Sequence, residues 1–410
     1  MKLTVTFILT LTLATAYGQN VKLQSLLDSA KTLFKSENGL YQEEFDRFDY
    51  NKIVNLLEEA LEVDPDNAEA RYYLGYAYSR INSRDGRSMI DMNLNMLLKT
   101  SEQFEKVIQL TPRYNGEIIV LDPYSKLSAE WGSMAMSYWH NNKPDSAIWA
   151  FREGKRRGGF GDYILELNRK VLDACAKNSI LISEGDNFTI PLWYLQIVEG
   201  YRKDVSVIDI NLLNTIWYPE YLLKNNTVSF DLPGDELDTI NFIRCSDSLI
   251  NINNFSWTIK PSYQDHYLLR GDRVLLSLLK QNNFRREIYF TKRFDDMLRL
   301  SLTQYLTSLV VVDKLSVDQV KEQSFSDYYE SIGKMLKLSR YVNINSPDEL
   351  LMLDSFRYDL LKHVKALIIL NERKKADKLM KLLDKYADGN KFPYQIENGE
   401  KFMEYLKHML

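Results

Sequence analysis

The segment from Ser179 to Tyr218 limits the fold more than any other part of the chain. Ile180, Leu181 and Ile182 form an apolar run that stops at the polar turn Glu184-Gly185-Asp186-Asn187. An amphipathic stretch with Trp193, Tyr194 and Ile197 follows, then a second β-branched run from Val205 to Ile210. Strand, tight loop, helix and strand in that order make a βαβ unit, because a helix is the usual connection between two parallel neighbours. Polar side chains gather where both strands end, at Asp186 and Asn187 and again at Asn211 and Asn214. Ligands of open parallel sheets bind at that edge.

Between Val21 and Phe160 the apolar residues keep a helical period, with a repeat of about 34 residues beneath it. In the copy that starts near Ser128, the residues Trp131, Ala135, Tyr138, Ala147 and Phe151 alternate large and small as in tetratricopeptide repeats. A second copy carries Leu74-Gly75 and Tyr78, then Phe104, Val107 and Pro112 after an insertion around Ser83 to Asn95. An earlier half-copy ends with Leu57, Ala60 and Pro65. Three such helix pairs are near the minimum that stacks stably. Tyr72, Tyr73 and Tyr76 fit either a groove lining or a core. Gly158 to Gly161 reads as a linker, and Lys155-Arg156-Arg157 before it as a favourable charge on a helix end.

Downstream, a helix opens at Gly271-Asp272, and Glu287 to Thr291 suits a third strand. Asn225 to Pro261 reads as polar and irregular, with β-like pieces at Val228-Ser229-Phe230 and Trp257-Thr258-Ile259. From Asp295 onward the period is helical, ending in a pair from Asp354 to Asn371 and from Arg373 to Tyr386. The expected fold class is α+β, mostly α, in four parts. Residues 1–18 are a signal peptide, and 19–157 are tetratricopeptide-like helical repeats. Residues 163–293 are a small three-layer α/β domain with the parallel βαβ unit. Residues 294–410 are a helical C-terminal extension with a degenerate repeat.

The signal-peptide expectation rests on Lys2, the apolar run Leu3 to Ala16 and the small residues of Ala16-Tyr17-Gly18. That run is shorter than the roughly 20 residues that span a bilayer, so no membrane span is expected in the mature chain. A net charge of −4 over 410 residues argues against nucleic acid as a partner. Cys175 and Cys245 suit either a disulfide or two free thiols. His140, His266, His363 and His408 lie in no metal-ligand spacing, and neither a metal nor a cofactor is expected.

The residues after the repeats resemble the soluble C-terminal region of the bacterial protein O-mannosyltransferase-like membrane protein family (domain of unknown function 2723). The likeness is carried by Gly185-Asp186-Asn187, Pro191-Leu192-Trp193-Tyr194-Leu195-Gln196, Glu199-Gly200, Arg202 and Asp204-Val205. Leu212-Leu213-Asn214-Thr215, Trp217-Tyr218, Arg285 and Ile288-Tyr289-Phe290 extend it. It covers about residues 175–400. The family's multi-helix membrane domain has no counterpart in this sequence, and Phe188 stands where the family turn carries a second acid.

Candidate ligand-binding residues are Asp186, Asn187, Trp193, Gln196, Asn211, Asn214, Trp217 and Tyr218. Carboxylates and carboxamides pair with hydroxyls while aromatic faces cover C–H groups, a mixture that suits a glycan ligand. The plainer alternative is that the acids and amides cap helices and the aromatics fill the core. No catalytic residue is singled out, since Glu184 and Asp186 on one turn do not flank a bond as paired glycosidase carboxylates do. The expected function is an exported, periplasmic or envelope-associated protein-binding or scaffolding protein of the Gram-negative envelope, working beside glycan-handling membrane proteins. A protein or peptide partner would be held by the repeats. The competing class is an enzyme or enzyme subunit acting on glycans through the strand-end site.

Overall fold

The computed structural model describes residues 2–292, 299–317 and 323–410; the side chains of residues 2–17 and 42 lie outside that description. Helices α1 (Lys2–Lys35), α2 (Gln42–Asp46), α3 (Tyr50–Val63), α4 (Ala68–Asn82), α5 (Leu94–Leu110), α6 (Pro123–His140) and α7 (Pro144–Arg156) form the repeat region. Four of these starts are written in the sequence as caps. Asp49, Asn67, Asn93 and Asp122 stand at N-cap positions and accept from main-chain N–H groups of the first turn of α3, α4, α5 and α6. The pairs α1–α3, α4–α5 and α6–α7 pack in series. A Cβ on Gly75 would stand 2.9 Å from Phe104 Cζ, so glycine sets the approach of α4 and α5.

Tyr72, Tyr73 and Tyr76 are core, none more than 2% exposed. Their hydroxyls do work there as well: Tyr72 and Tyr76 both donate to Leu121 C=O, and Tyr76 accepts from Leu121 N–H at 2.8 Å. The glycine-rich stretch after α7 is a packed turn, not a loose linker. Phe160 is fully buried within it, and its N–H donates to Ser128 Oγ at 2.6 Å. Of the basic cluster, Lys155 meets Asp162, and Arg157 meets Glu153 and Glu105.

The next elements are α8 (Asp162–Ala174), β1 (Ile180–Ser183), α9 (Asp186–Val198), β2 (Ser206–Asp209), α10 (Trp217–Lys224) and α11 (Gly234–Thr239). Strands β3 (Ile243–Arg244), β4 (Ser248–Ile252), β5 (Phe255–Ile259) and β6 (Tyr267–Leu268) follow, then α12 (Arg270–Asn282) and β7 (Ile288–Thr291). The chain completes its sheet with β8 (Leu306–Ser308) and β9 (Val312–Leu315). The five-stranded sheet has the order β2-β1-β7-β9-β8, with β1 parallel to both β2 and β7, and β9 antiparallel to β7 and β8. The crossover from β1 to β2 through α9 and that from β2 past β1 to β7 through α12 run in opposite directions along the sheet, and the right-handed rule puts such helices on opposite faces. All four residues of β1 and of β7 are buried, as strands covered on both sides must be.

Three sequence expectations need correction here. Residues 225–261 are only partly irregular: they hold α11, β3 and the hairpin β4–β5, in which the expected piece Trp257 to Ile259 lies, while Val228 to Phe230 forms no strand and buries only Val228 and Phe230. The sheet continues beyond the expected domain boundary at 293/294, which itself lies outside the described residues. Its last strands, β8 and β9, flank the β-branched run Val310-Val311-Val312, a local signal the surrounding helical period concealed.

The C-terminal region is α13 (Phe325–Leu336), α14 (Pro347–Ile369), α15 (Arg373–Tyr386) and α16 (Gly399–Met409). Ala376 and Met380 are buried where α15 packs on α14. Cys175 and Cys245 are both free thiols. Among the described residues no helix is long and apolar enough to cross a membrane.

Candidate ligand site at the strand ends

The carboxyl ends of β1 and β2 face the repeat region, and glycine is the reason they come so close. A Cβ on Gly132 of α6 would sit 2.0 Å from Ile190 Cγ2 of α9. Without it the helices settle against each other, and α6 lays Lys126 and Glu130 over the strand ends. A recess of about 230 Å³ remains between α4, the 83–92 connection, α6 and the βαβ unit.

Four charged side chains define it. Lys126 Nζ lies 2.6 Å from Glu130 Oε1, donates to Ser79 Oγ at 2.9 Å, and sits 4.7 Å from the centre of the Tyr76 ring. Burial opposes the ammonium charge, but Glu130, Tyr76 and Asp186 outweigh it and hold Lys126 above the usual lysine range. Glu130 is 5% exposed, and its second oxygen, Oε2, has no hydrogen-bond partner. Arg80 pairs with Glu37 at 3.1 Å, yet its Nε has no partner either.

Asp186 begins α9 after Gly185, whose φ of +79° makes the turn from strand to helix. Asp186 is exposed to solvent on the lining of the recess, with the recess walls beside its carboxyl. Those walls push its pKa up; Lys126 opposes and Glu130 reinforces the shift. Behind it, Asp209 is pushed up to about 6 by burial, against the stabilising bonds from Thr189 Oγ1 and Leu212 N–H. Thr189 also bonds Ser183 Oγ at 2.8 Å, so both strand ends and α9 are locked together.

Of the eight residues expected to bind a ligand, the structure brings Asp186, Trp193 and Asn211 to this recess. The other five have different surroundings. Pro191 inside α9 cannot donate to Asn187 C=O, and Asn168 Nδ2 from α8 does so instead at 3.0 Å. Gln196 donates to Arg202 and Val205 carbonyls at 3.0 and 2.8 Å, closing the turn into β2. Asn214 Oδ1 accepts from Gly271 N–H at 2.8 Å in the first turn of α12. Trp217 Nε1 donates to Gly86 C=O at 2.8 Å and fastens the 83–92 connection. Tyr218 is buried with its hydroxyl accepting from Asp209 N–H at 3.0 Å.

Lys126, Glu130, Arg80 and Asp209 were not read as site residues. The first three sit on repeat helices where charges normally mark the solvated face. One signal was available: Lys126 and Glu130 are four apart, interleaved with Leu127 and Trp131, which the repeat pattern buries. Chemically, two carboxylates with open oxygens beside one ammonium accept hydroxyl or amino hydrogens and donate to an oxygen. The volume admits one small polar group of about the size of a sugar ring. Among the described residues no cluster of three or more His, Cys, Asp or Glu is placed to hold a metal ion.

Two known families match parts of the chain. Residues 42–82 match the TPR repeat, which corresponds to α2 through α4. Residues 165–239 match TMEM260-associated domain 2, which spans most of α8, the βαβ unit, α10 and α11. No curated protein is significantly similar to the chain. The repeats are therefore tetratricopeptide-like, and such repeats support protein–protein interaction.

Proposed function

We propose that this chain is an exported, periplasmic scaffold that holds a protein partner through its helical repeats and works beside glycan-handling membrane proteins. The observation that carries the reading is the stack of three helix pairs together with the TPR repeat match over residues 42–82. The outer surface of that stack keeps apolar side chains in water. Trp149 on α7 is 44% exposed and borders a recess with Asp145, Ile148 and Arg152.

A second reading is favoured by the strand-end recess: a glycan group bound by Asp186, Glu130 and Lys126, in a protein related to glycosyl-transfer enzymes. The match to TMEM260-associated domain 2 is consistent with the O-mannosyltransferase-like resemblance. Affinity capture from envelope extracts separates the two, using wild type, Trp149→Ala and Asp186→Asn. The scaffold reading expects the captured partner to be lost with Trp149→Ala and kept with Asp186→Asn. Loss with Asp186→Asn alone favours the glycan reading, and capture unchanged by both variants overturns the scaffold reading.

A further inference from the structure

A second recess lies on the other side of Trp193, along the outer edge of β2. It measures about 530 Å³ and is walled by Met136 and Trp139 of α6, Trp193 of α9, Tyr221 of α10 and Val207 of β2. Strand β2 is the end strand of the sheet. Ser206 N–H donates to Ser179 C=O and Ile210 N–H to Ser183 C=O, both at 3.0 Å, so the even-numbered residues of β2 face β1. Alternation along a strand then turns the main-chain groups of Val205, Val207 and Asp209 outward.

The chain closes this edge on both sides of Val207. Val205 N–H donates to Arg202 C=O at 3.1 Å, and its C=O accepts from Gln196 Nε2 at 2.8 Å. Asp209 N–H donates to the Tyr218 hydroxyl. Among the described residues nothing is bonded to the outward N–H and C=O of Val207. Val207 is one of the residues lining the aromatic recess, and as a whole it is 5% exposed.

The geometry of the pair selects its ligand. A residue in the β conformation shows its own N–H and C=O on the same side, whereas a single trans amide points them in opposite directions. One residue of an extended peptide therefore meets both groups of Val207, and the acetamido group of a sugar meets only one. We propose that the β2 edge binds an extended peptide by one-residue strand addition at Val207, with an apolar ligand side chain against Trp139 and Tyr221. Strand addition of this kind takes its affinity from main-chain bonds and its preference from side-chain pockets. Gln196 and Tyr218 confine the pairing to one residue, which makes the ligand short and the binding weak. The inference goes beyond the repeat-surface reading and stands or falls separately from it.

The test follows the Val207 amide resonance of the full chain by ¹⁵N NMR, with N-acetyl-leucine N′-methylamide as probe. A saturable downfield shift with Kd on the order of 1 mM is expected. An analogue methylated on the leucine nitrogen loses one of the two bonds and should bind about tenfold more weakly. Val207→Pro removes the outward N–H but no bond to β1, a position where proline is tolerated, and should abolish the response measured by tryptophan fluorescence. Trp139→Ala supplies the same test without touching the strand. No shift at Val207, equal binding of the methylated analogue, or the same shift with N-acetylglucosamine overturns the proposal.

Discussion

Two clusters of charge join the repeat region to the rest of the molecule, and they differ in how completely they are used. At the first, Asp122 caps α6 and also reaches the start of α14. It accepts from Ser125 N–H, Asp348 N–H and the Ser346 hydroxyl, while its own N–H donates to Asp348 at 2.9 Å. Glu349 accepts from Asn343 N–H beside it. At the second cluster, over the strand ends, Glu130 Oε2 and Arg80 Nε find no partner, and Asp186 faces open space. Burying a polar group without a bond costs about 1–3 kcal/mol. The first cluster spends its carboxylates on the protein's own turns, whereas the second leaves Glu130 Oε2 and Arg80 Nε open.

Substitutions can break that contrast. Asp122→Ala removes one N-cap bond and leaves Ser346 and the α14 turn unmatched, so it should cost roughly 2–4 kcal/mol in urea unfolding. A cost below that of an ordinary surface substitution would dissolve the distinction between joint and site.

Next in size is a pH effect at the same joint. Burial, followed by the charge of Asp348, raises Asp122 to about 6. Burial also raises Glu349 to about 8, with its main-chain bond opposing and Asp122 reinforcing. Both carboxyls bind protons more tightly in the folded chain than in the unfolded one, so their contribution is complete below the unfolded values and is lost as pH rises through the folded ones. Thermal melts of wild type should therefore fall between about pH 4.5 and pH 8. Glu349→Gln should flatten that slope by a few degrees; an unchanged slope would place the titration elsewhere.

The smallest effect belongs to the open cluster. Asp186→Asn breaks no protein bond and removes a charge its surroundings disfavour, so stability should stay within about 0.5 kcal/mol of wild type or rise slightly. A loss as large as that of Asp122→Ala would make Asp186 a structural residue.

Much of this was legible from local pattern. The βαβ unit shows itself because strand, turn and helix are contiguous, and Trp131, Ala135 and Phe151 mark the repeat because their spacing is the packing. The strand-end recess was half legible. Asp186, Trp193 and Asn211 belong to the contiguous unit, but Lys126 and Glu130 arrive from a helix more than 50 residues away through a contact that Gly132 permits, and Arg80 from α4, farther still. Gln196, Asn214 and Tyr218 misled for the opposite reason: a polar side chain looks the same in sequence whether it awaits a ligand or already serves a neighbouring main-chain group.

The repair at Pro191 has a reach beyond its own turn. Because Asn168 of α8 supplies the donor that proline withholds from Asn187, the opening turn of α9 is held partly from outside its own helix. The position of Asp186 is thus set by a residue that never borders the recess. Asn168 serves as a remote set-screw, and changing it should shift the aim of that carboxylate while leaving every wall of the recess chemically intact.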